Sequence, residues 1–410
     1  MESSPSRRRD TDAPSAIAAA SCLSGLNLLL SNLQPIMLGA LADSAGFSDA
    51  ALGQASASFI GFNTLCIISS PLWIRRANWR SLVLVGISLG TIGLIAGIWA
   101  TTLPFVLALL AILGVVKGLV GAPAFASLGD SSNPDRTYGI ALIFQSALAA
   151  LAAVPLSAWI IPQFGAAGFF VTVALLFCTG IPLSRWLPSA GREARSDIPS
   201  SSTSILSGAA IPPLIMLVAT GLFVAGALGF WFFAERIGTA RGVPPALIGA
   251  TVSISACMTI AAAALVAWLG ARVSSQAYII GGALVLLTGM SLLHFDGNAS
   301  FMASVGVFSL GYGLAQPGYW ALSRKVDATG RLFTATPAAG GIAGVCIGLA
   351  AGSLIGNGGY DALIMACSLC VGAGAALAVA ATAIAKCGPI LRRRTGPRHS
   401  PGGSAAARGR

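Results

Sequence analysis

The sequence predicts an all-α integral membrane bundle, on three observations. Twelve apolar runs of about bilayer length follow one another along the 410 residues. Only 9% of the residues are charged while 55% are hydrophobic, against roughly 25% charged in soluble domains. Lys and Arg concentrate on alternate connections between the runs, the distribution that marks the cytoplasmic side of a membrane protein.

Each run is continuously apolar and rich in Leu and Ala, where barrel strands would alternate over about 10 residues, so the spans are expected to be helices. A span needs ~20 apolar residues. This predicts spans over 15–42, 51–73, 81–100, 104–127, 137–161 and 165–187, then over 209–233, 245–269, 276–294, 301–322, 333–355 and 361–386. The first six fall in a half covering 14–187 and the second six in a half covering 209–388, joined by a polar linker at 188–208. The tails, 1–13 and 389–410, are basic and rich in Pro, Gly, Ser and Arg, a composition that resists folding. The apolar stretch after Arg7–Arg9 is too long for a signal-peptide core of about 7 to 15 residues, so it is read as an uncleaved first helix.

Orientation follows from the basic residues. Arg7, Arg8 and Arg9 precede span one, Arg75, Arg76 and Arg80 follow span two, Arg136 follows span four, and Arg185, Arg192 and Arg195 follow span six. Arg272 follows span eight, Arg324, Lys325 and Arg331 follow span ten, and the C-terminal tail is basic throughout. The opposite side receives Arg236 and Arg241. Both termini are therefore expected in the cytoplasm, with the protein in a plasma membrane, for a bacterium the inner membrane. Topology accounts for most of the +11 net charge. No nucleic-acid partner is expected, and the tail is read as touching anionic lipid.

Chemistry in such a bundle is sought among polar residues inside the spans. Lys117 is the one charge near the middle of a span, where it costs at least about 2.5 kcal/mol unless it faces a cavity or a partner. It is a candidate for substrate contact or proton coupling; bonding to backbone carbonyls or snorkelling is the structural alternative. Asn27, Ser31 and Gln34 share one face of span one, and Tyr312, Gln316 and Tyr319 repeat that spacing on span ten. Asn63 in span two and Gln145 in span five complete the candidates, with helix-to-helix bonding as the alternative for the amides. Trp320 and the run Phe230 to Phe233 are read as interfacial belt residues. Glu235 is read as a surface partner of Arg236 or Arg241, with gating or proton carriage as the alternative. Gly340, Gly344, Gly348 and Gly352 recur every four residues and are read as a close-packing stripe.

Enzymatic and cofactor chemistry finds no footing. There is no H-E-x-x-H, phosphate-binding loop or nucleophile elbow, so neither an enzyme nor an ATP-driven pump is expected, and no cofactor or metal. The cysteines lie mostly inside apolar spans, where they act as small hydrophobes. Cys367 and Cys370 form a lone C-x-x-C without a second pair or a histidine.

The chain also repeats itself. Gly46-Phe-Ser-Asp-Ala-Ala-Leu-Gly53 is echoed by Gly242-Val-Pro-Pro-Ala-Leu-Ile-Gly249, an offset of 196; Arg75 corresponds to Arg272, and Arg136 to Arg331, at offsets of 197 and 195. Three matches at a nearly constant offset mark an internal repeat. Arg75, Arg76, Arg136, Arg272, Asp327 and Arg331 become candidates for ordering equivalent cytoplasmic loops.

Two six-span halves in parallel repeat resemble the major facilitator superfamily, over about residues 14–388. The superfamily's loop after span two carries a Gly-x-x-x-Asp-Arg-x-Gly-Arg pattern; here Ser70-Pro-Leu-Trp-Ile-Arg75-Arg76-Ala-Asn-Trp-Arg80 keeps the basic cluster and lacks the acid. Lys117-Gly-Leu-Val-Gly121 resembles the span-four pattern of a basic residue followed four positions later by Gly, whereas span five lacks the Gly-Pro pair of drug/proton antiporters. The resemblance implies a monomeric secondary transporter or facilitator for a small organic solute, working by alternating access, with protons as a candidate coupling ion. A non-transporting receptor or scaffold on the same fold is the second reading, prompted by the missing loop acids.

Overall fold

The computed structural model describes residues 11–190, 211–327 and 335–395, and among these the regular structure is helical throughout. Span one is two helices, α1 (Pro14–Asn32) and α2 (Gln34–Ala45), hinged at Leu33. Pro35 explains the hinge, because it has no N–H to return to the carbonyl of Ser31. Helix α3 (Asp49–Trp73), α4 (Trp79–Ala96), α5 (Leu103–Gly129) and α6 (Pro134–Pro155) follow. A π-helical turn at Leu156–Ile160 leads into α7 (Ile161–Cys178) and the short α8 (Gly180–Ser184). The second set comprises α9 (Ile211–Ala240), α10 (Pro245–Leu269), α11 (Ser275–Ser291), α12 (Asn298–Val326) and α13 (Thr336–Thr395).

Local sequence explains where helices begin. Ser48, Asn78, Asn133 and Ser274 each accept a bond from a backbone N–H of the first turn of α3, α4, α6 and α11 respectively. Asn78 and Ser274 stand 196 residues apart, so the same capping device opens the same helix in both sets. Backbone geometry repeats in the same way. Gly46 and Gly242, at the same offset, have φ of 69° and 73°, and Gly165 and Gly359 have φ of 60° and 66°. These are left-handed values that a residue with a Cβ adopts only at a cost.

Nine segments among the described residues are long and apolar enough to cross a membrane. Two of them, Arg136–Ser184 and Thr336–Ala385, run to 49 and 50 residues, and non-helical backbone breaks them at Gly165 and at Gly358–Gly359. Helix α12 is 29 residues long but carries polar groups along its length, and it lies outside the nine. Leu72, Ile92, Leu151, Leu175, Leu284 and Leu369 are exposed on the outer faces, as apolar side chains against lipid would be. Trp99 and Trp159 at one end, and Trp186 and Trp268 at the other, are exposed near helix termini, the placement of membrane-interface anchors.

The two sets meet along α3 against the first part of α13, and along α6 against α10. Small residues permit the approach. A Cβ on Gly348 would stand 2.9 Å from the Gly53 carbonyl oxygen, and one on Gly352 would meet the Ala50 Cα at 2.5 Å. Across α6 and α10, a Cβ on Gly249 would lie 2.8 Å from the Ala153 carbonyl oxygen, and Ser253 donates to the Ala150 carbonyl at 2.7 Å. Close packing and interhelical bonds of this kind hold helices together where water supplies no hydrophobic drive.

Candidate functional site

A cavity of about 560 Å³ opens between the two sets, inside the size range of small-molecule sites. The first set contributes Ser31, Asn32 and Gln34 from the α1–α2 hinge, Ile60, Asn63, Thr64 and Ile67 from α3, and Lys117 from α5. The second contributes Thr220, Val224, Leu228 and Trp231 from α9, Ser255 and Thr259 from α10, Phe308, Ser309, Tyr312, Gln316 and Trp320 from α12, and Thr336, Pro337, Gly340 and Gly341 at the start of α13.

The hinge shapes the site. The Ser31 carbonyl, left without its usual helical partner by Pro35, accepts the indole N–H of Trp231 at 3.1 Å across the two sets. On the far wall the Tyr312 ring stacks on Phe223 with centroids 5.7 Å apart and planes 7° apart, and Phe223 stacks in turn on Tyr319 at 4.6 Å. Phe230 packs on Phe308 at 4.5 Å. On the near wall the Lys117 ammonium lies 5.7 Å from the centroid of the Phe59 ring. Among the described residues, no carboxylate lines the cavity.

Of the nine residues singled out inside the spans, Ser31, Gln34, Asn63, Lys117, Tyr312 and Gln316 meet at this cavity. The other three do not. Asn27 is buried against Gly121 of α5, where a Cβ would stand 2.7 Å from its amide nitrogen. The Gln145 amide donates to the Ser24 hydroxyl at 3.1 Å, tying α6 to α1. Tyr319 is fully buried behind the aromatic stack. Asn27, Ser31 and Gln34, one face of span one by spacing, thus divide between core and wall: Asn27 packs against α5, while Ser31 and Gln34 flank the hinge at Leu33 and line the cavity.

The aromatic run of span seven corrects the belt reading. Phe230, Phe232 and Phe233 are fully buried and Trp231 forms part of the cavity wall, because α9 is enclosed by α13, α2 and α12. Trp320 is half exposed and also lines the cavity. Sequence reasoning did not single out Thr220, Ser255, Thr259 or Ser309: Thr220, Thr259 and Ser309 bond to carbonyls of their own helices, as hydroxyls in apolar spans commonly do, and the Ser255 hydroxyl pairs with that of Ser309 at 2.6 Å across α10 and α12.

The contacts that close one end of the molecule all lie toward the connections around Gly46, Gly242 and Gly359. Arg236 of α9 pairs with Asp43 of α2 at 2.7 Å, and the Tyr360 hydroxyl of α13 donates to Asp49 of α3 at 3.1 Å. Glu235 therefore is not the partner of Arg236 or Arg241. Its Oε1 accepts from Thr239 at 2.6 Å and its Oε2 is buried near Gly39. Arg241 instead donates to the Leu293 carbonyl.

At the opposite end, the loop candidates separate. Arg75 pairs with Asp130, Nη1 to Oδ2 at 2.9 Å, so the acid missing from the loop after span two is supplied by the loop after span four. Asp130 is thus held by Arg75, while the Arg136 side chain is exposed and its backbone N–H is capped by Asn133 at 3.1 Å. Arg76 is exposed. Arg272, in the 3-10 turn that follows α10, donates to the Trp268 carbonyl of α10 at 3.5 Å. Asp327 is buried at the end of α12, where Lys325 donates to Ser275 at 2.9 Å. Arg331 lies outside the described residues.

The sequence model of the Major Facilitator Superfamily matches residues 20–330. The chain belongs to the major facilitator superfamily. Solved structures of the same build include the nucleoside transporter NupG, 12% identical with a TM-score of 0.68, covering 90% of this chain and 98% of that one. A structure from work on proton-dependent oligopeptide transporters is 14% identical with a TM-score of 0.68, covering 93% and 99%. A bacterial homologue of the human lysosomal transporter Spinster, inward-facing and unoccupied, is 13% identical with a TM-score of 0.60, covering 94% and 97%. At these identities the likeness is one of fold. Among curated proteins none matches the sequence. As a major facilitator the chain is a multi-pass membrane protein of a solute-transporter family, and its cavity stands between the two helix sets, where transporters with repeated halves bind substrate.

Proposed function

We propose that this protein is a secondary active transporter or facilitator that carries a small organic solute across the plasma membrane, the inner membrane in a bacterium, by alternating access. The supporting observation is an asymmetry. The two sets touch through Asp43–Arg236, Asp49–Tyr360 and the Gly53–Gly348 and Ala50–Gly352 approaches at one end. The cavity runs from mid-span toward the other end, where Ile67, Trp320 and Thr336 line it. With the Arg-rich connections inside, this is an inward-open carrier.

In this reading the breaks at Gly165 and Gly358–Gly359 turn the two long segments into two crossings each, and α12 crosses despite its polarity. Twelve crossings result, in two six-helix halves at 14–187 and 209–388, with both termini and the 188–208 linker in the cytoplasm. The carrier acts as a monomer, in contact with lipid, without cofactor. Lys117, Ser31, Gln34, Asn63, Tyr312 and Gln316 contact the solute. Lys117 is also the candidate proton-coupling group, since a lysine neutral in one state and charged in another links solute movement to a proton gradient.

Reconstitution tests the reading. Proteoliposomes carrying the protein should accumulate or exchange a labelled solute, saturably and against an excess of unlabelled solute. Saturable binding without flux favours the receptor or scaffold reading instead. The loop acids missing after spans two and eight prompt that alternative; the Arg75–Asp130 pair supplies an acid to the first of those loops and so favours the transporter reading.

A further inference from the structure

The cavity is chemically two-sided. Its first-set wall holds one charge, the Lys117 ammonium, with the amides of Gln34 and Asn63 nearby in the lining. Its second-set wall carries the rings of Trp231, Phe308, Tyr312 and Trp320 among hydroxyls and the Gln316 amide, and two of those rings are fixed. Tyr312 is held by its stack on Phe223, and Trp231 by its bond to the Ser31 carbonyl. Among the described residues nothing acidic lines the cavity, so the Lys117 charge has no anionic partner there and faces the flat rings of the opposite wall. The Phe59 ring offsets part of the ammonium's desolvation through its π face. That contact leaves room for a stronger partner, since a charge removed from water is costly until paired.

We infer that the cavity takes a monoanionic organic acid with a planar apolar body, its carboxylate at Lys117 and its ring against Tyr312 and Trp231. This rests on the cavity being the solute site. A cation would meet the ammonium with no acid to balance it, in a setting where like charges repel strongly. A dianion would leave one carboxylate facing aromatic carbon without a cation. A neutral amide satisfies the amides but leaves Lys117 unpaired. A monoanion neutralises the site and buries its ring on a surface built to stack, where offset or edge-on aromatic contacts add to area burial.

The test is a series of small organic solutes that differ in charge, with the full chain in detergent and in proteoliposomes. Benzoate, phenylacetate and indole-3-acetate are titrated calorimetrically beside benzylamine, phenylacetamide and succinate. The aromatic monoanions should bind at least about tenfold more tightly than the amine, the amide or the dianion, the change expected from one charge-assisted bond. Lys117→Met should erase that preference while leaving phenylacetamide unchanged, and Lys117→Arg should keep most of it. Should Lys117→Met fail to fold, the wild-type series decides alone. Equal or better binding of the amine, the amide or succinate overturns the inference, as does no binding by any of the three monoanions. Labelled uptake separates this from the transport reading: monoanions that bind without flux uphold the solute class and contradict transport, whereas flux of cations or neutral solutes alone upholds transport and contradicts the class.

Discussion

Arg75 and Asp130, 55 residues apart in the chain, are joined at 2.9 and 3.5 Å through both guanidinium nitrogens. The pair binds the end of α3 to the end of α5 at the side where the cavity opens. Arg75 remains 43% exposed and Asp130 13%. Exposed pairs contribute roughly 0.2 to 1 kcal/mol, and a two-pronged Arg–carboxylate contact tends to the upper part of that range. Asp130→Asn should therefore leave the fold intact, lowering the midpoint of thermal unfolding by a few degrees at most, and alter transport rate more than stability. The exchange Arg75→Asp with Asp130→Arg should recover part of the rate. A large loss of folded protein from Asp130→Asn would show that the pair holds the fold together.

At the closed end, Tyr360→Phe combined with Asp43→Asn removes the hydroxyl that donates to Asp49 and the negative charge that pairs with Arg236. Each is worth about 1 kcal/mol or less at such exposure, enough to shift a balanced equilibrium several-fold. Spin labels at Thr101 and Asp296, on loops of opposite sets at this end, should report a longer-distance population that grows in the double variant. An unchanged distribution would mean that the glycine contacts alone hold this end closed.

The glycine seam makes its own prediction. Gly348→Val places carbon against the Gly53 carbonyl and the Ala57 side chain, already 2.9 and 3.4 Å from a Cβ. This face cannot yield without separating α3 from α13, and overpacking of this kind costs about 1 to 3 kcal/mol. Transport should fall by tenfold or more, roughly the factor that 1.4 kcal/mol represents. Gly372→Val, where nothing lies within 4 Å of a Cβ, should transport as the wild type does.

Gln145 should prove a structural residue. Its bond to Ser24 is buried between α6 and α1, and interhelical bonds in membranes average about 0.6 kcal/mol. Gln145→Leu should lower thermal stability slightly and leave the KM for any transported solute unchanged. A KM change without a stability change would place Gln145 in the solute's path.

The long apolar helices were legible in the sequence because lipid demands long apolar runs, and the capping residues Asn78 and Ser274 fall within three residues of the predicted starts of spans three and nine. The repeat offset reappears in the paired glycines Gly46 and Gly242. Half of the site was legible too: intramembrane polar residues with helical spacing led to Ser31, Gln34, Tyr312 and Gln316. Spacing alone could not reveal that Pro35 hinges span one, that Asn27 packs against Gly121 of α5, or that Tyr319 completes a ring stack with Phe223. Nor could it supply Asp130 as the acid for Arg75, since that pairing depends on which loops lie side by side. Trp231 was misread because a run of four aromatics near a span end looks the same whether lipid or a neighbouring helix covers it.

The central claim is that the cavity between the two sets is reached from one side of the membrane at a time. Its most direct test is reaction of Ser31→Cys, in a variant with the native cysteines replaced, with an impermeant thiol reagent applied separately to right-side-out and inside-out vesicles. The account predicts rapid labelling from the cytoplasmic side, slower labelling from outside that increases when Tyr360→Phe and Asp43→Asn are introduced, and protection from both sides by a transported solute. Labelling from the cytoplasmic side alone, unchanged by those substitutions and by every solute that binds, would contradict it.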